Sequence, residues 1–376
     1  MVKPMASLPD IDLTKVTKRF SDTHPVTVVD DISFTVARGR FTTIIGPSGC
    51  GKSTLLRMVA GLLDPSSGTI ELVGNTPQYA RQQRAYGMVF QKPTLYPWRD
   101  VRRNIALPLE LGAGKVDEQR VDEALMTVGL SAFAHHRVDQ LSGGMQQLVA
   151  LGKALVADPP ILLLDEPFGA LDELTRERMD MELLRVLETS GKTILMITHS
   201  IREAVLVSDE IVVLTPRPGR VSEIISVDLP RPRTAALQET PEFAALETRV
   251  RKALRQGWIR GSIIHGFGRG KELGFPTMNL DLSAFPFSYG VYAVRMRVQG
   301  GEFGGVLHFG PQATFGGQKD WIEVYLFDYD DSSRESDAIE LQVLDHLRPT
   351  VKFSSKEELI RQMEEDSARA RELTGK

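Results

Sequence analysis

The chain has 376 residues, of which 42% are hydrophobic and 25% charged, with a net charge of -4 and one cysteine, Cys50. At roughly 150 residues per domain this is too long for one typical domain and suits two or three, and the composition excludes disorder, collagen-like repeats and an internal disulfide framework. The charge gives no global reason to expect nucleic acid as a partner, and no run approaches the roughly 18 apolar residues of a membrane span. Met1–Asp10 reads as an N-terminal tail without the charged-then-apolar order of a signal peptide, so the expected location is cytoplasmic, with any membrane contact made through another protein.

The first chemical signal follows the short β-branched run Phe41-Thr42-Thr43-Ile44-Ile45, which leads into Gly46-Pro47-Ser48-Gly49-Cys50-Gly51-Lys52-Ser53-Thr54 before a helical pattern begins at Leu55. Strand, glycine-rich loop and helix in that order form a phosphate-binding loop. Its glycines turn backbone N–H groups toward phosphates, Lys52 supplies a point charge for the β and γ groups, and Ser53 can place a hydroxyl on Mg²⁺. Further on, Leu141-Ser142-Gly143-Gly144-Met145-Gln146-Gln147 opens another helix with small residues, a second anion-binding terminus. The apolar strand Ile161–Leu164 then ends in Asp165-Glu166-Pro167, which suits Asp165 for holding Mg²⁺ and Glu166 for polarising an attacking water.

With these motifs in place, the residues from Ile11 to about Leu254 resemble an ABC transporter ATPase subunit. The resemblance implies an α/β P-loop NTPase fold with a helical subdomain over 11–225. It also implies an aromatic at Phe20 for adenine, a lid glutamine at Gln91 that also serves the metal, Asp172 in the loop Gly169-Ala170-Leu171-Asp172, and a γ-phosphate-sensing His199. It further implies a head-to-tail homodimer, in which Ser142, Gly143, Gly144 and Gln146 of one subunit complete the ATP site built on Lys52 of the other. Permease subunits and a substrate-binding protein are the other implied partners, and they would hold the chain peripherally on the inner face of the membrane. The segments Leu95–Leu107 and Leu214–Arg220 resemble the nitrate, sulfonate and taurine importer branch, whose relatives also carry thiamine precursors and riboflavin. Leu148 and Lys153 depart from the arginines usual in that family, with slower or altered signalling as the expected consequence.

Leu229-Pro230-Arg231-Pro232-Arg233-Thr234 is too proline-rich for the interior of a strand or helix and reads as a stiff connector. Phe243, Leu246, Val250 and Leu254 then fall near helical spacing after Pro241. The connector and its short helix span 226–257.

From Trp258 to Lys376 the pattern changes to short alternating β runs at 263–264, 290–298, 306–309, 322–327 and 338–343, which predict a small antiparallel barrel. An amphipathic helix from Ser355 closes the domain, with Leu359, Met363 and Ala370 toward the body. Gly266-Phe267-Gly268-Arg269-Gly270-Lys271 could be a hairpin loop or a phosphate loop, but its spacing is not that of the dinucleotide fingerprint. The stretch Gly274-Phe275-Pro276-Thr277-Met278-Asn279-Leu280 resembles the hallmark of riboflavin kinases, and the similarity extends over nearly the whole domain. It implies that Gly266, Gly268, Gly270 and Lys271 hold phosphate, and that Thr277 and Asn279 face a nucleotide–metal complex. Glu323, within Trp321-Ile322-Glu323-Val324-Tyr325, is then the base for the ribityl 5′-hydroxyl, and Arg348 and Phe353 lie on the flavin side. Ala313, Tyr325 and the run 330–336 depart from that family's usual residues, and no adenylyltransferase domain is visible. The reading that follows is an importer ATPase fused to an enzyme converting riboflavin to FMN with ATP and Mg²⁺. Its rivals are a non-catalytic flavin sensor on an importer ATPase, and a sulfonate or nitrate importer whose fused domain serves a flavin-using pathway.

Overall fold

The computed structural model describes residues 9–20, 26–113, 116–169, 173–188, 191–255, 257–264, 275–282, 285, 287, 289–311, 320–329, 338–351, 353 and 355–375. They form two compact units, one running to Leu214 and including Pro218–Arg251, the other running from Lys252 and including Thr215–Arg217.

In the first unit β1 (Ile11–Phe20), β2 (Val26–Val36) and β4 (Ser67–Leu72) make an antiparallel sheet in the order β2-β1-β4. A second sheet orders β5 (Tyr86–Val89), β6 (Ile161–Asp165), β7 (Thr193–Thr198), β3 (Phe41–Ile45), β8 (Glu210–Leu214) and β9 (Val221–Ser226). All neighbours in it are parallel except β8 and β9. The strands β3, β6 and β7 are buried along their whole length, as continuous apolar or β-branched runs are when helices cover both faces. Parallel pairing has a functional consequence, since the carboxyl ends of β3, β6 and β7 open on the same edge, where ligands of such sheets bind.

Helix α1 (Lys52–Val59) starts at that edge, three residues earlier than its apolar pattern predicts. It is followed by α2 (Pro77–Gln82), then by α3 (Val101–Ala113), α4 (Glu118–Thr127) and α5 (Gly143–Leu155), which pack on one another as a helical subdomain. A buried side chain fixes the entry to α3. Asn104 accepts from the Tyr96 amide (2.7 Å) and donates to the carbonyls of Tyr96, Arg99 and Asp100, so the turn ahead of the helix has its polar groups satisfied from inside. The unit is completed by α6 (Glu173–Glu188), α7 (Ile201–Val207) and α8 (Pro241–Arg255), with Phe243 and Val250 buried along the expected helical stripe.

The proline-rich stretch is not a free spacer. Arg233, 3% exposed, donates to the carbonyls of Val205, Leu206 and Val227, while Arg231 pairs with Asp209 and reaches the Val207 carbonyl. Two arginines thus cap the last turn of α7, where unpaired carbonyls and the helix dipole both favour a cation.

In the second unit β10 (Trp258–Ile264), β11 (Thr277–Leu282), β12 (Gly290–Val298), β13 (Gly301–Pro311), β14 (Asp320–Leu326) and β15 (Ala338–Arg348) close a barrel in the order β10-β11-β14-β13-β12-β15, every pair antiparallel. Strand β11 coincides with the hallmark motif and is not among the β runs expected from the sequence, although it alternates polar and apolar residues. Leu280, Tyr292, Val294, Met296, Leu307, Val324 and Leu341 fill the interior. The opposite face of β12 carries Val291 and Ala293, which pack with Phe327, Leu347 and Ala370 of α9 (Lys356–Thr374). Ser355 caps that helix by accepting from the Glu358 amide (3.1 Å).

Candidate active sites

The edge of the six-stranded sheet collects the first set of candidates. After β3 the chain turns through Gly49 and Gly51, both with positive φ; at Gly51 (φ 103°) an added Cβ would meet Val29 Cγ1 at 2.6 Å and the Val28 carbonyl at 3.2 Å, so no larger residue fits. Gly46 is buried, Ser48 is exposed and Thr54 is half-buried in the first turn of α1. Lys52 is buried, and its ammonium donates to the carbonyls of Gly46 (2.8 Å) and Pro47 (3.1 Å). The Ser53 hydroxyl donates to Asp165 Oδ1 at 3.1 Å, joining the loop to the end of β6. Burial raises the Asp165 carboxyl above the usual range, and the Ser53 hydrogen bond partly opposes this.

Glu166 follows with φ 42°, a backbone region that side chains rarely occupy. It is held there by its backbone N–H, which donates to the Ile197 carbonyl (3.0 Å), and by the Gly169 N–H, which donates to its carbonyl (3.1 Å). Its carboxylate accepts from Gln91 Nε2 at 3.2 Å and lies 3.3 Å from His199 Nδ1. His199 holds Glu166 below the usual carboxylate range, and Glu166 in turn raises the imidazole above its ordinary value. The structure therefore brings together Lys52, Ser53, Gln91, Asp165, Glu166 and His199.

Ser142 caps α5 by accepting from the Met145 amide (3.3 Å), and Ser142 and Gly143 are exposed while Gly144 is buried. Gln146 turns inward to the carbonyls of Val138 and Leu141. The neighbouring Gln147, which the motif pattern does not single out, donates to the carbonyls of Phe90, Gln91 and Pro167 and so links this helix to the glutamine and carboxylate segments. Phe20, 41% exposed at the end of β1, has the Lys18 ammonium 5.1 Å above its ring. Asp172 lies outside the described residues.

In the barrel, register decides which side chains meet. Thr277 stands opposite Tyr325, and Asn279 opposite Glu323. Because Met278, Leu280, Ile322 and Val324 face the interior core, these four side chains share the outer face by the two-residue period of a strand. Asn279 is 8% exposed and, among the described residues, its Oδ1 has no hydrogen-bond partner, an oxygen that suits a hard cation. Tyr325 packs edge-on against Phe275 with ring centroids 5.2 Å apart. Arg348 grips Asp366 of α9 through Nε and Nη2 (2.8 Å at the shortest) and lies 5.4 Å from the Phe353 ring. Gly266, Gly268, Gly270, Lys271, Ala313 and residues 330–336 lie outside the described residues.

A family model for ABC transporters matches residues 29–169, and one for riboflavin kinase matches residues 254–374. A putative ATP-binding protein of Brucella abortus is 43% identical over 244 residues, 64% of this chain and 92% of that protein. This chain belongs to the ABC transporter ATP-binding family. A taurine import ATP-binding protein of Yersinia pestis is 44% identical over 224 residues, 58% of this chain and 87% of that protein. Among solved structures, the dimeric post-hydrolysis state of an ATP-binding cassette bound to ADP and Pi aligns with a TM-score of 0.52 and 31% identity, covering 58% of this chain and 99% of that one. The ABC ATPase is thus fused in one chain to a riboflavin kinase domain, and both are enzyme domains that take ATP.

Within the ABC domain the two departures have different surroundings. Leu148 is simply buried, whereas Lys153 donates to the Thr94 carbonyl (2.9 Å) and lies 5.6 Å over the Tyr96 ring, tying α5 to the segment after Gln91. Among the described residues no helix is long and apolar enough to cross a membrane.

Behind His199 sit two buried acids that the motifs do not reveal. Burial, reinforced by neighbouring Glu203, pushes the Asp180 carboxyl up to about 9, and burial raises Glu203 as well; the Thr198 hydroxyl donates to Glu203. A raised acid keeps its proton in the fold at a pH where the unfolded chain has lost it, so its stabilising contribution is complete only at low pH and declines as pH rises toward 9. The contribution of this acid to stability should therefore fall as pH rises from 7 to 8.5, and Asp180→Asn should flatten the decline. Denaturant titrations of both proteins across this range check it, and an unchanged slope in the variant would refute the assignment.

Proposed function

We propose that this chain is the ATP-hydrolysing subunit of an importer whose cargo is riboflavin or a close precursor, and that its second domain phosphorylates riboflavin to FMN. The observation that carries the proposal is the fusion itself, an ABC ATPase joined to a riboflavin kinase domain whose Asn279 and Glu323 stand side by side on one barrel face. Phosphorylation adds charge to the cargo on arrival and traps it inside.

In the cassette, Lys52 and the loop amides of Gly46, Ser48, Gly49, Gly51 and Thr54 take the phosphates, and Phe20 takes the adenine. Glu166 orients and deprotonates the attacking water, and His199, its charge favoured by Glu166, meets the γ-phosphate. Ser53, Asp165 and Gln91 offer the oxygen donors that Mg²⁺ prefers, and Thr277 and Asn279 do so in the kinase domain. When bound, Mg²⁺ neutralises phosphate charge. The exposed start of α5 at Ser142 and Gly143 supports a homodimer in which it completes the partner's ATP site, as does the dimeric state of the cassette relative. The exposed Trp98, stacked on Tyr96 at 4.8 Å, supports docking of permease subunits beside Lys153, with the chain peripheral on the cytoplasmic face of the membrane.

In the kinase domain Glu323 accepts the proton of the ribityl 5′-hydroxyl as its oxygen attacks the γ-phosphorus and ADP leaves. A second reading is favoured by Tyr325, which occupies the position opposite Thr277 where the family usually carries histidine. There the domain binds flavin without turnover and regulates the ATPase through different flavin affinity in its two states. Chromatography of a mixture of the chain with riboflavin, ATP and Mg²⁺ separates the two. FMN supports the kinase, whereas bound flavin that changes the ATPase rate with no FMN formed supports the regulator.

A further inference from the structure

The turn that carries His199 is tied from behind by a closed set of hydrogen bonds. The Thr198 hydroxyl donates to the Glu203 carboxylate and accepts from the Ser200 N–H (3.0 Å), and Ser200 Oγ in turn accepts from the Glu203 N–H (3.2 Å) as the cap of α7. Thr198 and Glu203 are buried, whereas His199 between them is exposed and brings Nδ1 to 3.3 Å from the Glu166 carboxylate. The direction of the imidazole is therefore set by an anchor inside the protein.

Glu203 has a second buried neighbour. Asp180 of α6 lies within hydrogen-bonding reach of it, yet Asp180 Oδ1 and Glu203 Oε1 find no donor among the described residues. Ionised carboxylates only accept, and two of them side by side repel. One proton on the pair supplies the missing donor and leaves a single charge. Burial raises both carboxyls and so favours this state at neutral pH. The other charged groups acting on the pair among the described residues are Arg176 and Glu177 of α6 and His199 at the end of β7. Arg202 of α7 pairs with Glu177 (3.6 Å), Arg176 Nε donates to the Phe168 carbonyl (3.3 Å), and Arg231 and Arg233 meet the far end of α7.

Resting on the role given to His199 above, we propose that Asp180 and Glu203 are positioning residues for ATP hydrolysis: bridged by one proton, they tie α6 to α7 and hold Thr198, and with it the turn that aims His199 at the γ-phosphate. Loss of that proton to solvent leaves two buried like charges in contact, which pushes Glu203 off Asp180 and loosens its hold on Thr198. Hydrolysis should therefore decline as pH rises toward about 9, the direction in which a raised acid loses its proton.

The test is steady-state phosphate release by the full chain from pH 6 to 9.5. Asp180→Asn replaces the titrating proton with a permanent N–H donor to Glu203, so the alkaline decline of the wild type should disappear or move to higher pH. Glu203→Leu removes the acceptor for Thr198 and should cost on the order of 10²-fold in kcat, with KM for ATP unchanged because Lys52 and its loop are untouched. In protein already carrying His199→Ala, the same Glu203→Leu change should cost little more, since a turn without its histidine has nothing to aim. An alkaline limb indifferent to Asp180→Asn, or a Glu203→Leu loss that is equally large with and without His199, overturns this inference alone. Wild-type hydrolysis that survives His199→Ala overturns the role of His199 and this inference with it.

Discussion

Replacing Glu166 with glutamine is expected to slow ATP hydrolysis by the ABC domain on the order of 10²–10⁴-fold, the usual contribution of a positioned general base, while leaving FMN formation unchanged. Glutamine preserves the length of the side chain and one oxygen for Gln91 Nε2, so the local packing survives. What it removes is the carboxylate that holds His199 above its ordinary value, and the acceptor for the water's proton. The damage is therefore chemical and should appear in kcat for phosphate release, with nucleotide binding retained because Lys52 and its loop are untouched. Phosphate release and FMN formation measured on the same preparation check both halves. Retained hydrolysis would remove Glu166 from the role of base, and loss of both activities in folded protein would break the two-site reading.

Glu323→Gln should give the mirror result, a loss of about 10²–10⁴-fold in FMN formation with phosphate release by the cassette unaffected. Glu323 stands on β14 between Asn279 and His308, and the groups gathered around Lys52 and His199 belong to the other unit, so the substitution alters none of them. A variant that still made FMN at the wild-type rate would move the base elsewhere or make proton removal unimportant in the slow step.

These expectations draw on information of two ranges. Lys52, Ser53, Asp165 and Glu166 were legible in the sequence because each belongs to a short strand-to-loop segment whose backbone geometry is dictated locally by glycines and β-branched residues. The barrel strand Gly290–Val298 was legible for the same kind of reason, its alternation being strong enough to read alone. By contrast β11 was not predicted, although Thr277-Met278-Asn279-Leu280-Asp281-Leu282 alternates polar and apolar residues; β10 and β14 supply its hydrogen-bond partners.

Side chains whose roles depend on distant packing were not legible at all. Nothing near Asp180 in the sequence says that it lies against Glu203, since the two belong to different helices and meet only when α6 and α7 pack. Arg231 and Arg233 look like spacer residues, yet they cap α7 because the chain returns across its last turn. Arg348 reads as a flavin-side residue, and the fold adds its bidentate hold on Asp366.

By itself, then, the sequence determined the two enzyme domains and the identities of their phosphate, metal and base candidates, because those chemistries need particular residue types at fixed short spacings. Only the tertiary structure decided which of these groups meet: the joining of Gln91 and His199 on Glu166, and the register that sets Asn279 opposite Glu323. Strand order and register set those meetings, and they are fixed by the burial of whole faces rather than by any local run of residues.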